Sequence, residues 1–113
     1  AEAVETACKL ARRWAYQVKG VPANQAIILG VTGNFHGRTM VPVSLSNDPE
    51  MREGHGPYVP GVGSVCSASG HALPFDDLPA LKQALETHGR HTAALIIEPI
   101  QGEAGYAINF MVG

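Results

Sequence analysis

Charge is scarce in this sequence: of 113 residues only 16% are Asp, Glu, Lys or Arg, against roughly 25% in a typical soluble domain. No basic surplus exists, since eight Lys and Arg face ten Asp and Glu for a net charge of -2. A phosphate-backbone footprint is therefore excluded, and with it nucleic acid as an expected partner. No run of about 18 apolar residues is present, nor a charged segment followed by an apolar one at the start, so neither a membrane span nor a signal peptide is read. Cysteine is limited to Cys8 and Cys66, in no CxxC or Cys/His spacing, so no metal is expected and a reducing, intracellular compartment is the economical inference. Gly30, Gly33 and Gly37 make GxxGxxxG rather than a dinucleotide fingerprint. GK[ST] and GxSxG are missing too, which removes the phosphate loop and the activated serine.

What is present supports one packed domain: 45% of residues are hydrophobic, and the length leaves no room for a second domain. A domain this small normally covers its large surface with charge. The shortfall, together with a first residue other than Met and no polar tail after Asn109, reads as an internal piece of something larger.

Between Glu2 and Lys19 the apolar Ala7, Cys8, Ala11, Trp14, Ala15 and Val18 recur at three and four, which predicts an amphipathic helix ended by Gly20 and Pro22. The continuous apolar runs Ala26–Val31 and Thr92–Ile97 are expected to be strands covered on both faces. Asp76 or Asp77 is placed to cap a helix carrying Leu78, Leu81, Ala84 and Leu85 on one face, with Pro79 in its first turn and Gly89 past its end. Thr39 is placed to cap a shorter segment running through Ser46, while residues from Asn47 to Pro74 show no period and are expected to form a long loop. The fold class that follows is α/β, a mostly parallel sheet flanked by helices, with ligands outside the carboxyl ends of its strands.

Two polar stretches fall at such ends. In Gly33–Thr39, Phe35 offers a flat face, Arg38 a fork for a carboxylate, and Gly37 a close backbone approach. They suit a planar cofactor and an anionic substrate, and equally an aromatic plugging the core beside a surface arginine. Glu98 and Glu103 follow the second strand with the same ambiguity, positioning a cofactor or pairing an arginine. His55, His71, His88 and His91 form no i, i+4 pair beside a Glu and read as surface residues.

ETACKLARRWAYQVKG from Glu5, GNFHGRT from Gly33, NDP followed by GPYVPG, and EPIQGEAG from Glu98 together resemble the class III pyridoxal-phosphate aminotransferases over nearly the whole chain. FHGRT and EPIQGE mark the class. The first helix with its Trp-x-Tyr, joined to GNFHGRT and GPYVPG, resembles the members that act on ornithine. The resemblance implies a fold-type-I transferase in which residues 1–113 are part of the large domain that binds pyridoxal 5'-phosphate, with both termini missing. It implies transfer of the δ-amino group of ornithine to 2-oxoglutarate, giving glutamate 5-semialdehyde and glutamate, or the same chemistry on acetylornithine or another ω-amino substrate. A catalytically dead α/β module binding an anion or partner through Arg38 is the alternative of a different class.

By the same resemblance Phe35 stacks on the cofactor ring and Glu98 lies in the cofactor layer. Arg38 takes a substrate carboxylate, and Glu103 pairs with a distant arginine and switches between the two substrates. His36 supports the loop. No catalytic residue is expected within the chain: Lys9, Lys19 and Lys82 do not resemble the lysine that holds the cofactor, so residues 1–113 alone are expected to be inactive. A homodimer or higher homo-oligomer is implied, with small-molecule amino acid and 2-oxo acid as partners, in the cytoplasm or the mitochondrial matrix. Gly63 to Leu73 is longer than the compact family version and resembles a lineage-specific insertion.

Overall fold

The computed structural model describes residues 2–63, 73, 74, 77–98, 100, 101, 107 and 108. Its strands are β1 (Ile27–Leu29), β2 (Val62–Gly63) and β3 (Thr92–Leu95), with a separate antiparallel pair, β4 (Ile100–Gln101) and β5 (Ala107–Ile108). The first three form a parallel sheet in the order β2-β1-β3, so β1 lies at its centre. The helices are α1 (Glu2–Trp14), α2 (Met40–Leu45), α3 (Pro49–Arg52) and α4 (Leu78–His88).

The two-residue alternation of a strand explains why β1 is apolar throughout. Ile27 and Leu29, with Val31 beyond them, face Ala80, Leu81 and Ala84 of α4. Ile28 points the other way, into Cys8 of α1 and Leu45 of α2. Helices thus cover both faces of the sheet, as the two continuous runs predict. Burial, and secondarily the charge of Glu5, pushes the Cys8 thiol above its ordinary value, with Arg12 opposing.

The expected first helix is present, but α1 gives way at Ala15–Lys19 to one wider π-type turn, closed by Gly20 at φ +84°. Its buried face also differs from its apolar stripe. Cys8 and Ala15 are buried, whereas Ala7 and Trp14 are exposed and Val18 is 71% exposed. At 100° per residue the face turned inward is rotated by roughly 60° from the stripe. The reason is a second series spaced by seven, Glu5, Arg12 and Lys19, each bonded to a different segment. Glu5 reaches Thr39 and the Val41 N–H, Arg12 the Pro60 carbonyl at 2.8 Å, and Lys19 the Gly89 and Thr92 carbonyls at 2.5 and 2.7 Å.

Two further expectations are corrected. The stretch from Asn47 to Pro74 is not all loop: Asp48 caps α3 by accepting from the Glu50 N–H at 2.9 Å, and Val62–Gly63 forms β2. A two-residue strand has no readable period, and β1 supplies its order. The Ile28 N–H donates to the Gly61 carbonyl and the Gly30 N–H to the Gly63 carbonyl, both at 2.8 Å. Gly61 has φ +77°, and a Cβ there would lie 2.5 Å from the Ala26 carbonyl oxygen. On α4, Asp77 is the cap, accepting from the Ala80 N–H at 3.0 Å, yet Leu78 and Leu85 of the expected apolar face are exposed. The proposed insertion falls largely on residues 64–72, outside the described residues, as do Cys66, Asp76 and the tail beyond Ile108.

Candidate functional site

Parallel neighbours bring their carboxyl ends to one edge, so the segments leaving β1 and β3 meet there. The contact is direct: the Phe35 N–H donates to Glu98 Oε1 at 2.9 Å, across 63 residues of chain. Phe35, Glu98 and His36 are all half-buried at this junction. Burial pushes the His36 imidazole below its ordinary value, the nearby Glu98 charge pulling the other way. Its Nε2 is buried with no partner among the described residues.

Polar side chains hold the backbone around this contact. Asn34, buried, donates through Nδ2 to the carbonyls of Val31 at 2.6 Å and Leu45 at 2.7 Å, tying the loop to the end of α2. The Gly33 N–H donates to Asn47 Oδ1 at 2.8 Å. Gln101, only 1% exposed, donates through Nε2 to the Thr32 carbonyl at 2.9 Å and binds β4 to the same loop. Sequence reasoning passed over Asn34, Asn47 and Gln101. For Asn34 and Gln101 the signal was an amide beside a glycine, the residue type that can satisfy backbone groups where no ladder continues; Asn47 carries no such local signal.

Arg38 is exposed and has no hydrogen bond or ion pair among the described residues. Its guanidinium shares a cleft of ≈ 460 Å³ with Phe35, the apolar Met40, Val43 and Met51, and the polar Asp48, Glu50 and His55. The arrangement joins a flat, half-buried aromatic to an exposed cationic fork in one concavity, which suits a planar ring and a carboxylate. Of the four expected site residues the structure brings Phe35 to both Arg38 and Glu98; Glu103 lies outside the described residues.

The chain's lysines stand apart from this cleft. Lys9 and Lys82 are exposed on α1 and α4, and Lys19 is bound where β3 begins, at the opposite edge of the sheet. No group of His, Cys, Asp and Glu among the described residues is arranged to hold a metal ion. No helix among them is long and apolar enough to cross a membrane.

Residues 1–110 match the family Aminotransferase class-III. The chain is 53% identical over 108 residues to an ornithine aminotransferase of Emericella nidulans, an alignment covering 96% of this chain and 24% of that protein. An ornithine aminotransferase of Halalkalibacterium halodurans is 56% identical over 108 residues, with the same shares covered. Among solved structures, ornithine aminotransferase from Toxoplasma gondii, described with partial occupancy of PLP at its active site, superposes with a TM-score of 0.83 at 36% identity over 96% of this chain and 24% of its own. The chain thus spans about a quarter of the length of the relatives it matches.

Proposed function

Since this chain belongs to the class-III aminotransferases, we propose that it is a section of an ornithine δ-aminotransferase, which moves the δ-amino group of L-ornithine to 2-oxoglutarate and yields glutamate 5-semialdehyde and glutamate. One observation carries the reading: the Phe35 N–H anchored on Glu98 where two parallel strands end, with Arg38 three residues on and facing the same cleft. Relatives above 50% identity that bear the ornithine name support the substrate.

The residues present fit pyridoxal phosphate. The Phe35 ring lines the cleft while its backbone is fixed by Glu98, so a flat heterocycle can lie on a face that does not swing. When bound, the cofactor supplies the electron sink for the carbanion that forms beside the transferred nitrogen. Glu98 contributes as a cofactor-layer residue by keeping Phe35 in place. Arg38 takes a substrate carboxylate through two parallel N–H···O bonds, which sets the distance from the carboxyl end of the amino acid to the reacting amine. Glu103 pairs with an arginine beyond this chain, releasing it when the second substrate brings its own carboxylate. The lysine that holds the cofactor also comes from beyond the chain, and the active assembly is a homodimer.

The test is the visible absorption of the full-length protein, purified without added cofactor, before and after ornithine. A cofactor band that ornithine converts to the amine form is expected. A band bleached by N-acetylornithine and not by ornithine would keep the class and discard the substrate. No band after reconstitution with pyridoxal phosphate would overturn the reading in favour of an anion-binding module. The isolated 113-residue chain is expected to show no transamination.

A further inference from the structure

Arg38 has no side-chain partner of its own among the described residues, so its aim is set by the backbone on either side of it. On the carboxyl side that backbone is α2, which starts two residues later and is six residues long. A helix of that length does not hold itself together in water. Its predicted cap fails as well: Thr39 makes no side-chain bond to the helix, and its hydroxyl donates to Glu5 Oε2 instead. The same carboxylate oxygen accepts from the Val41 N–H at 3.2 Å. An anion from α1 thus sits at the positive end of α2.

The other end of α2 is held by a cation from α3. Arg52 Nη1 donates to the carbonyls of Ser44 at 3.0 Å and Ser46 at 2.7 Å. The guanidinium lies 3.8 Å from the centre of the Tyr58 ring, and the Tyr58 hydroxyl donates back to the Arg52 carbonyl at 2.7 Å. Arg52 is therefore fixed on three sides.

We propose that Glu5 and Arg52 are positioning residues for substrate binding: acting on opposite ends of α2, they fix the direction in which Arg38 presents its guanidinium to the substrate carboxylate. The proposal rests on the reading of Arg38 given above. Neither residue lines the cleft: Glu5 acts through the hydroxyl of Thr39, next to Arg38, and the Val41 N–H, and Arg52 through the carbonyls at the far end of the helix. Misaligning a bidentate fork weakens only ligands that use it.

The experiment uses the full-length holoenzyme with Glu5→Ala, Arg52→Met and Arg38→Ala, singly and combined. The amino donors are ornithine and 1,4-diaminobutane, which lacks the carboxylate. Binding of pentanoate, the ornithine skeleton without its amines, is followed by calorimetry. Glu5→Ala and Arg52→Met are expected to raise KM for ornithine and Kd for pentanoate by about tenfold, with kcat retained and with kcat/KM for the diamine unchanged. Added to Arg38→Ala they are expected to change nothing further.

Equal losses on ornithine and the diamine, additivity with Arg38→Ala, or unchanged KM and Kd would each overturn the proposal. Where Glu5→Ala yields no folded protein, Glu5→Gln carries the test. It keeps the acceptor oxygen without the charge, and a KM between those of Glu5 and Arg38→Ala is expected. If Arg38→Ala itself leaves the KM for ornithine unchanged, the carboxylate assignment fails first. If it raises KM while the Glu5 and Arg52 variants do not, the assignment stands and the positioning role falls.

Discussion

Helices α2 and α4 flank the same sheet and are built in opposite ways. In α4 the stabilising groups come from its own sequence: Asp77 caps the first turn, Pro79 sits where a missing N–H costs nothing, and the Gly89 N–H closes on the Leu85 carbonyl at 2.7 Å. In α2 the Ser46 N–H closes on the Pro42 carbonyl at 3.1 Å in the same way, but the side chains that bind its ends come from elsewhere, Glu5 of α1 at one end and Arg52 of α3 at the other. Inside α2, Pro42, Val43, Ser44 and Leu45 are all buried, while no residue of α4 is. The self-capped helix covers a face of the core. The helix assembled by its neighbours follows the arginine that faces the cleft, so the segment assigned to substrate is as ordered as the surrounding tertiary structure and no more.

The sharpest way to break this contrast is to remove one leucine from each helix. Leu45, fully buried against Cys8 and Ile28, is expected to cost about 3 kcal/mol as Leu45→Ala. The half-buried Leu81 is expected to cost roughly half as much as Leu81→Ala, because fewer of its atoms leave an apolar environment. Hydrogen exchange of the two helices in the full-length protein checks both: Leu45→Ala should release the amides of α2 together with those of Gly33–Thr39, whereas Leu81→Ala should release those of α4 alone. Equal spread from both sites would mean that α2 is no more dependent on its surroundings than α4.

A smaller effect sharpens the comparison from the side of α4. Asp77→Ala is expected to destabilise by about 1 kcal/mol, the ordinary value of an N-cap, with KM for ornithine unchanged. Chemical denaturation paired with steady-state kinetics reads the two quantities, and a rise in KM would show that α4 also reaches the cleft.

The smallest expected effect is in pH. Burial holds the His36 imidazole below its ordinary value in the folded protein. Below about pH 6.5, the ordinary histidine value, the unfolded chain therefore binds more protons than the folded one. Stability at this position is complete above that pH and declines as pH falls toward the lower folded value. His36→Gln, which cannot titrate, should flatten that part of the stability profile in chemical denaturation at stepped pH. An identical acid limb in both proteins would place the titration elsewhere.

Much of the framework was legible in advance. The runs around Ile28 and Ala94 announce strands covered on both sides, and Asp77 with Pro79 announces the start of α4, because caps, turns and continuous apolar runs are local signals. Phe35, Arg38 and Glu98 were legible as residue types at strand ends. The bond from the Phe35 N–H to Glu98 was not, since nothing local sets a distance across 63 residues. The α1 stripe misled for a related reason: apolar periodicity marks Trp14 and Val18, while the inward face follows three charged side chains whose partners lie far along the chain.

The sequence by itself determined an α/β layer and the two polar segments at strand ends. Tertiary structure alone decided that Gln101 and Asn34 would secure the loop, that Val62–Gly63 would be a strand, and that Glu5 and Arg52 would hold the ends of α2. Apolar patterning acts through burial, which any nearby partner satisfies, so its period survives in one dimension. Hydrogen bonds to backbone groups are directional and short-ranged, so their partners are defined only once the chain has brought them within about 3 Å of each other.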